Sequence, residues 1–224
     1  MKNAYLTYRP IVEDDAGLLL RWRTAPEISR FMLTEVSSDP ARQREWLRAS
    51  AGRSDMIHRI MQVHDHDIGY CSIKVVDADA GVGTVGVYVG ESGTPTALTA
   101  FNFIHILNHA FCAMGLHKIV NHILAINDRL LPAQKFNGYR HVGVLKEHAV
   151  KAGHRFDMHI FEQMASEWLE FRRRFGDWRD LDGTLWPPSD VVTADAATAD
   201  TATGAASGKP LPVAAANSVL VSGR

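Results

Sequence analysis

Several stretches of this 224-residue chain carry side chains of the types that chemistry needs. His64 and His66 are one residue apart, so on a strand they would share a face, and Asp65 and Asp67 interleave with them. That composition could suit a metal. The four residues fall between two strand-like runs, however, where a polar turn accounts for them, and no metal is expected. Arg172-Arg173-Arg174 could hold phosphate, but Glu167, Glu170 and Asp177 surround it and a solvated helix face is the simpler expectation. Ser92 to Thr99 has the composition of a turn and helix cap, and Asn127 that of a helix N-cap. Cys71 and Cys112 are far apart and have no CxxC spacing, so they read as buried thiols in a reducing compartment.

Composition narrows the choice of partner. Lys plus Arg (24) and Asp plus Glu (25) nearly cancel, which gives no support to nucleic acid or an anionic membrane. The 46% hydrophobic content is ordinary for one globular domain. No apolar run approaches the roughly 20 residues that span a bilayer, and no N-terminal run resembles a signal peptide. A cytoplasmic protein with a small-molecule partner is the expectation.

The elements that must position any site alternate along the chain. Ala4 to Arg9 reads as a strand, and Val12 to Trp22 as an amphipathic helix with Glu13, Asp14 and Asp15 in its first turn. Asp39-Pro40 opens a helix to which Trp46 and Leu47 give an apolar face. Ile57 to Val63, Ile68 to Val76 and Val82 to Val89 read as strands of an antiparallel meander. A helix from Leu98 to Met114 ends at Gly115, and a buried strand covers Lys118 to Ala125. Asn127 starts a short helix interrupted by Pro132; after Gly138 come strands near Val142 to Leu145 and Arg155 to Gln163. A mixed sheet with helices packed on it, α+β or α/β in class, is predicted. The organisation predicted is a domain over 1–176, a connecting segment over 177–188 and a disordered Ala/Thr/Val-rich tail over 189–224.

Tyr8-Arg9-Pro10, Glu13-Asp14-Asp15, Leu20-Arg21-Trp22-Arg23, Ala110-Phe111, Gly115-Leu116-His117-Lys118-Ile119, Ala125-Ile126-Asn127, Gly138-Tyr139 and Glu167-Trp168 occur in an order and spacing that resembles the GNAT N-acetyltransferases related to ribosomal-protein alanine acetyltransferases. Phe31-Met32-Leu33-Thr34, Thr94-Pro95 and Leu145-Lys146-Glu147-His148 narrow the resemblance to the enzymes of pseudaminic acid biosynthesis, which acetylate the 4-amino group of a UDP-linked dideoxy amino sugar.

The resemblance implies a central sheet of about seven strands with one splayed parallel pair, Val82 to Val89 beside Lys118 to Ala125, which admits acetyl-CoA. It places the coenzyme against Val87, Tyr88, Val89 and Asn127, and its pyrophosphate on the loop Thr94 to Thr99. There Ala97 and Thr99 replace the family's glycines, with Thr96 and Leu98 between and beside them. A backbone N–H near Val87 to Val89 would hold the oxyanion. His122 stands where relatives carry a catalytic Glu and could take the ammonium proton. Gln134 stands where they carry an acidic Tyr, so Tyr139 or Tyr88 is the alternative proton donor. Arg21, Trp22, Arg23, Met32 and Tyr88 would line the pocket for a nucleotide-linked amino sugar. The competing expectation puts Trp22 in the core and both arginines in solvent.

The implied reaction is acetyl transfer to a primary amine without a metal, and a homodimer is compatible with it. The rival enzymes are protein N-terminal or polyamine acetyltransferases. The rival outside enzymes is a degenerate domain that binds CoA or a partner, which the substituted glycines and Gln134 keep in play.

Overall fold

A computed structural model describes residues 6–94 and 101–188. These belong to the first of the two units into which the chain divides, Met1–Pro188 and Ser189–Arg224. Seven strands form one sheet: β1 (Leu6–Pro10), β2 (Met56–Val63), β3 (His66–Asp77), β4 (Val82–Val89), β5 (Lys118–Leu124), β6 (Arg140–Lys151) and β7 (His154–Met164). Their order is β1-β2-β3-β4-β5-β7-β6, and β4 with β5 is the one parallel neighbour pair. The predicted meander and splayed parallel pair are therefore present, and the last two strands, β6 and β7, pair as an antiparallel hairpin.

Helices cover both faces. On one lie α1 (Ala16–Thr24), α2 (Pro26–Ser29) and α3 (Pro40–Ala51), whose Leu19, Trp22, Ile28 and Leu47 bury Ile60. On the other, α4 (Asn102–Asn108), a π-helical turn (His109–Ala113) and α6 (Ala165–Phe171) pack Ile104, Leu107, Phe111 and Trp168 against Met61, Ile73, Ile119 and Phe161. A short helix α5 (Leu130–Phe136) lies between β5 and β6.

Local chemistry explains the boundaries. The Asp39 carboxylate accepts from the Ala41 N–H at 2.8 Å with Pro40 in the first turn, the N-cap predicted from sequence. His64 and Asp65 both adopt positive φ, 50° and 63°, in the two-residue turn between β2 and β3, so this polar pair is hairpin chemistry. Asp67 is held by Arg9 and Gln62, and no group of three or more metal-ligating side chains is assembled among the described residues. Nor is any described helix long and apolar enough to cross a membrane.

Some expectations are corrected. Pro132 does not interrupt a helix: it occupies the first turn of α5, where its missing N–H has no carbonyl to serve. The expected strand near Val142 to Leu145 is the twelve-residue β6, with two register shifts against β7. Leu47 is in the core, whereas Trp46 is 39% exposed, because adjacent helix residues point about 100° apart. Arg172 is buried, its Nη1 donating to Asn108 Oδ1 at 3.0 Å beside the Trp168 indole N–H at 3.1 Å, so the arginine run is not wholly a solvated face.

Candidate active site

β4 pairs with β5 only through Val82↔Lys118 and Gly83↔Ile119 and then parts from it. On its other side β4 stays paired with β3 up to Gly69↔Val89. The parity of β4 is fixed at two points. The Val85 N–H turns toward β5 and donates to Asn121 Oδ1 at 3.1 Å, while the Gly90 N–H turns toward β3 and donates to Ile68 O at 2.8 Å. Alternation then puts the N–H and C=O of Val87 and Val89 on the edge facing the gap. A strand edge with free backbone groups, adjoining a partner that has moved away, can hydrogen-bond an extended amide-bearing chain.

The root of the gap is closed by side chains. Asn121 is buried on β5, and its Oδ1 also accepts from the Thr84 hydroxyl at 3.2 Å. Its amide faces the buried Tyr139 hydroxyl, whose pKa is raised well above the ordinary phenol range mainly by burial. Gly138, with φ of 90°, turns the chain out of α5 and lets the Tyr139 N–H bond to Gln134 O at 3.0 Å. Gln134 is buried, and its side-chain oxygen has no hydrogen-bond partner among the described residues.

On the α1–α3 face the Tyr88 ring stacks on Tyr70 at 5.1 Å and meets Trp22 edge-on at 6.4 Å. The Tyr70 hydroxyl is 2.5 Å from His58 Nδ1. Burial pushes the Tyr70 phenol up to about 12 and pulls the His58 imidazole down to about 4. A cavity of about 300 Å³ opens against this aromatic row, lined by Arg23, Glu35, Gln43 and Trp46 as well as the two tyrosines. His122 is exposed on β5, on the opposite sheet face from Ile119 and Ile123 and thus on the face of Tyr88; continuing the β4–β5 register would bring it level with Gly86.

The sequence-derived residues divide accordingly. Val87, Tyr88, Val89 and His122 border the gap, and Arg23 and Tyr88 line the cavity. Trp22 is buried with its indole N–H on Glu91 Oε1 at 2.7 Å, and Arg21 is exposed and ion-paired with the same carboxylate at 2.5 Å. Met32 packs into the α1–α3 layer, its carbonyl taking the Lys151 ammonium at 2.6 Å. The Thr94 hydroxyl donates to Glu91 O at 2.9 Å. Asn127 precedes α5 without capping it through its side chain; its carbonyl accepts from the Leu130 N–H at 3.0 Å. Thr96, Ala97, Leu98 and Thr99 lie outside the described residues.

Sequence reasoning missed His58, Tyr70 and Asn121. The signal was strand pairing: Tyr70↔Tyr88 puts the two rings side by side, which is visible only once the β3–β4 register is known.

Residues 5–140 match the family model described as the acetyltransferase (GNAT) domain. The chain belongs to the GNAT acetyltransferase family. This GNAT domain is similar to the uncharacterized N-acetyltransferase p20 of Bacillus licheniformis, with 18% identity over 168 residues, 73% of this chain and 94% of the relative. Among solved structures it resembles spermidine N-acetyltransferase from Vibrio cholerae in complex with CoA and spermine, with a TM-score of 0.70 and 15% identity over 75% of this chain and 99% of that one. At that identity the likeness is one of fold. The GNAT domain is thus an acetyltransferase; neither comparison names a nucleotide sugar or supports the pseudaminic acid subtype.

Proposed function

We propose that the protein transfers the acetyl group of acetyl-CoA to a primary amine of a small molecule bound in the cavity beside Tyr88. The observation that carries this is the parting of β4 from β5 in the middle of the sheet, beyond Gly83↔Ile119, which turns backbone groups of Val87 and Val89 to the gap where the pantetheine amides would pair with them. The residues present fit the coenzyme there, since no side chain of Val87 or Val89 competes for those groups.

In this scheme the neutral amine attacks the thioester carbonyl carbon, a C–N bond forms, the C–S bond breaks and the sulfur leaves as thiolate. A β4 N–H stabilises the oxyanion. His122, on the acceptor face of β5, takes the proton that nitrogen loses, directly or through water. Gln134 replaces a proton donor with an amide, so the thiolate leaves with hydrogen bonding alone; Tyr139 is sealed against Asn121 within the core and is a poor rival for the role.

Two acceptor classes are compatible with a primary amine. The fold neighbour bound to CoA and spermine puts a polyamine ahead of the UDP-linked amino sugar. The amino-sugar reading draws its support from Arg23 at the cavity wall. The test of the shared reading is the thermal midpoint with and without acetyl-CoA. A ligand at a hundredfold excess over its Kd adds about 2.7 kcal/mol to a folded state that alone binds it, so the midpoint must rise. No rise with saturating coenzyme would remove the reading.

A further inference from the structure

We propose that the Arg23 guanidinium is the receptor for an anionic group on the acceptor, a carboxylate or a phosphate, so that the amine acetylated here belongs to a molecule with a negative charge and not to a bare polycation. This rests on the acetyl-transfer reading and reverses the order of its two acceptor classes, placing an anionic amine ahead of the polyamine that the fold neighbour favours.

Arg23 lies in the last turn of α1. Its Nη2 donates to the Thr34 carbonyl at 2.8 Å and the Thr34 hydroxyl at 2.9 Å, two neutral acceptors. Its Nη1 is buried and has no hydrogen-bond partner among the described residues. Arg9, Arg21 and Arg59 are each held by a carboxylate, whereas Arg172, whose Nε is likewise buried without a partner among the described residues, sits on the neutral Asn108 away from the cavities that Arg23 lines. A buried cationic N–H without an acceptor is costly, and burial pulls the Arg23 pKa below its ordinary value with only the Tyr88 and Tyr70 hydroxyls opposing. Nη1 itself is sealed from solvent, so an anion would meet the guanidinium on the part that lines the cavities, and a charge with no carboxylate partner gains from that anion.

Its position makes that ligand the acceptor. Arg23 lines the 300 Å³ cavity beside Tyr70 and Tyr88, and also a second cavity of about 450 Å³ reached past Thr34 and bounded by Arg30, Lys151, His154 and Phe156. An acceptor whose amine points to the β4–β5 gap would therefore place the rest of itself along the guanidinium. Charge agrees. Among the described residues Glu35 is the one carboxylate lining these two cavities, against Arg23, Arg30, Lys151 and Arg42, the last of which also faces Asp39 at 3.9 Å. Lys151 spends protons on the carbonyls of Ser29 (2.8 Å) and Met32 (2.6 Å) but keeps its charge. A polyamine would enter a net positive field; a phosphorylated or carboxylated amine would neutralise it.

Calorimetric titration of the full chain tests this, with saturating CoA present to fill the coenzyme's own phosphate site. The probes are inorganic diphosphate, glutarate and spermidine. Diphosphate or glutarate should bind, at least tenfold more weakly to Arg23→Gln, with Arg23→Lys between. Binding of diphosphate alone assigns a phosphate, and of glutarate alone a carboxylate. The proposal is overturned if neither anion binds, if Arg23→Gln binds them as well as the native chain, or if spermidine binds more tightly than both. Retained CoA binding shows that Arg23→Gln is folded; should it be lost, the Arg23→Lys comparison decides by the same criterion. A native chain that takes up no CoA would sink the acetyl-transfer reading separately, leaving the anion result to stand on its own.

Discussion

Asn121 Oδ1 accepts the Val85 N–H at 3.1 Å and so does for one residue what strand β5 does for no residue beyond it. The side chain completes the β4 edge at the root of the gap and leaves Val87 and Val89 for a ligand. Asn121→Ala removes the acceptor and strands a buried N–H, and should cost about 2 kcal/mol of stability. Acetyl-CoA affinity should fall too, because the gap loses its fixed origin. Urea denaturation with and without coenzyme checks both. An unchanged midpoint together with unchanged coenzyme affinity would contradict the role assigned to Asn121.

Gly90 follows β4 directly and lies against the Trp22 ring: a Cβ there would lie 2.2 Å from a ring atom. Gly90→Ala should therefore destabilise by about 1–3 kcal/mol through overpacking. Gly17, in α1 with nothing within 4 Å of its missing Cβ, is the matched control. Gly17→Ala should be neutral or stabilising by about 0.5 kcal/mol, since it lowers only the entropy of the unfolded chain. Thermal midpoints moving in opposite directions support this packing; equal shifts would argue against it.

Stability should fall as pH drops below neutrality. His58 is pulled to about 4 by burial, and burial also lowers His105 and His109. An unfolded chain takes up protons at these positions near pH 6.5, while folded His58 resists until about 4. Between those values the unfolded state binds more protons, so ΔG of unfolding rises with pH. The His58 contribution is complete above about 6.5 and is lost progressively toward 4. Denaturation midpoints at pH 7.5 and pH 5.0, chosen to bracket that ~6.5 value, should differ by less in His58→Gln than in the native chain.

His122→Ala should lower kcat/KM by roughly a hundredfold, the usual worth of a positioned base. The amine's own protonation then dominates the pH profile, and the loss should be greatest where the amine is mostly charged. Full activity across the profile would pass the proton to another group, with Tyr70 and its partner His58 next on the same sheet face.

Much of this was legible in the sequence, for definable reasons. Period-two and helical patterns gave the strand and helix order, because half-buried elements must alternate in polarity. Asp39-Pro40 announced a helix start and Gly115, which has φ of 67°, a helix end, because cap chemistry is local. Cross-strand relations were not legible. Nothing near Asn121 in sequence says that its side chain reaches Val85 on another strand, and Tyr70 meets His58 only through the β2–β3 register. Trp46 and Leu47 looked alike as apolar neighbours, yet α3 buries one and turns the other to the cavity. Arg172 belongs to a run that looked solvated, but Asn108 on a helix 64 residues earlier captures it. Resemblance supplied the splay, and with it the gap-facing strands. For the acceptor it supplied a nucleotide sugar, which neither comparison supports.

The most direct test of the account is the release of free CoA thiol from acetyl-CoA, followed together with the mass of the added amine. Primary amines with and without an anionic group, spermidine among them, should be supplied to the full chain in turn. The account predicts thiol release that depends on the amine and matches, mole for mole, a product heavier by one acetyl group. Bound coenzyme with no acetylated amine of any class would contradict it and leave a domain that holds CoA without transferring its acyl group.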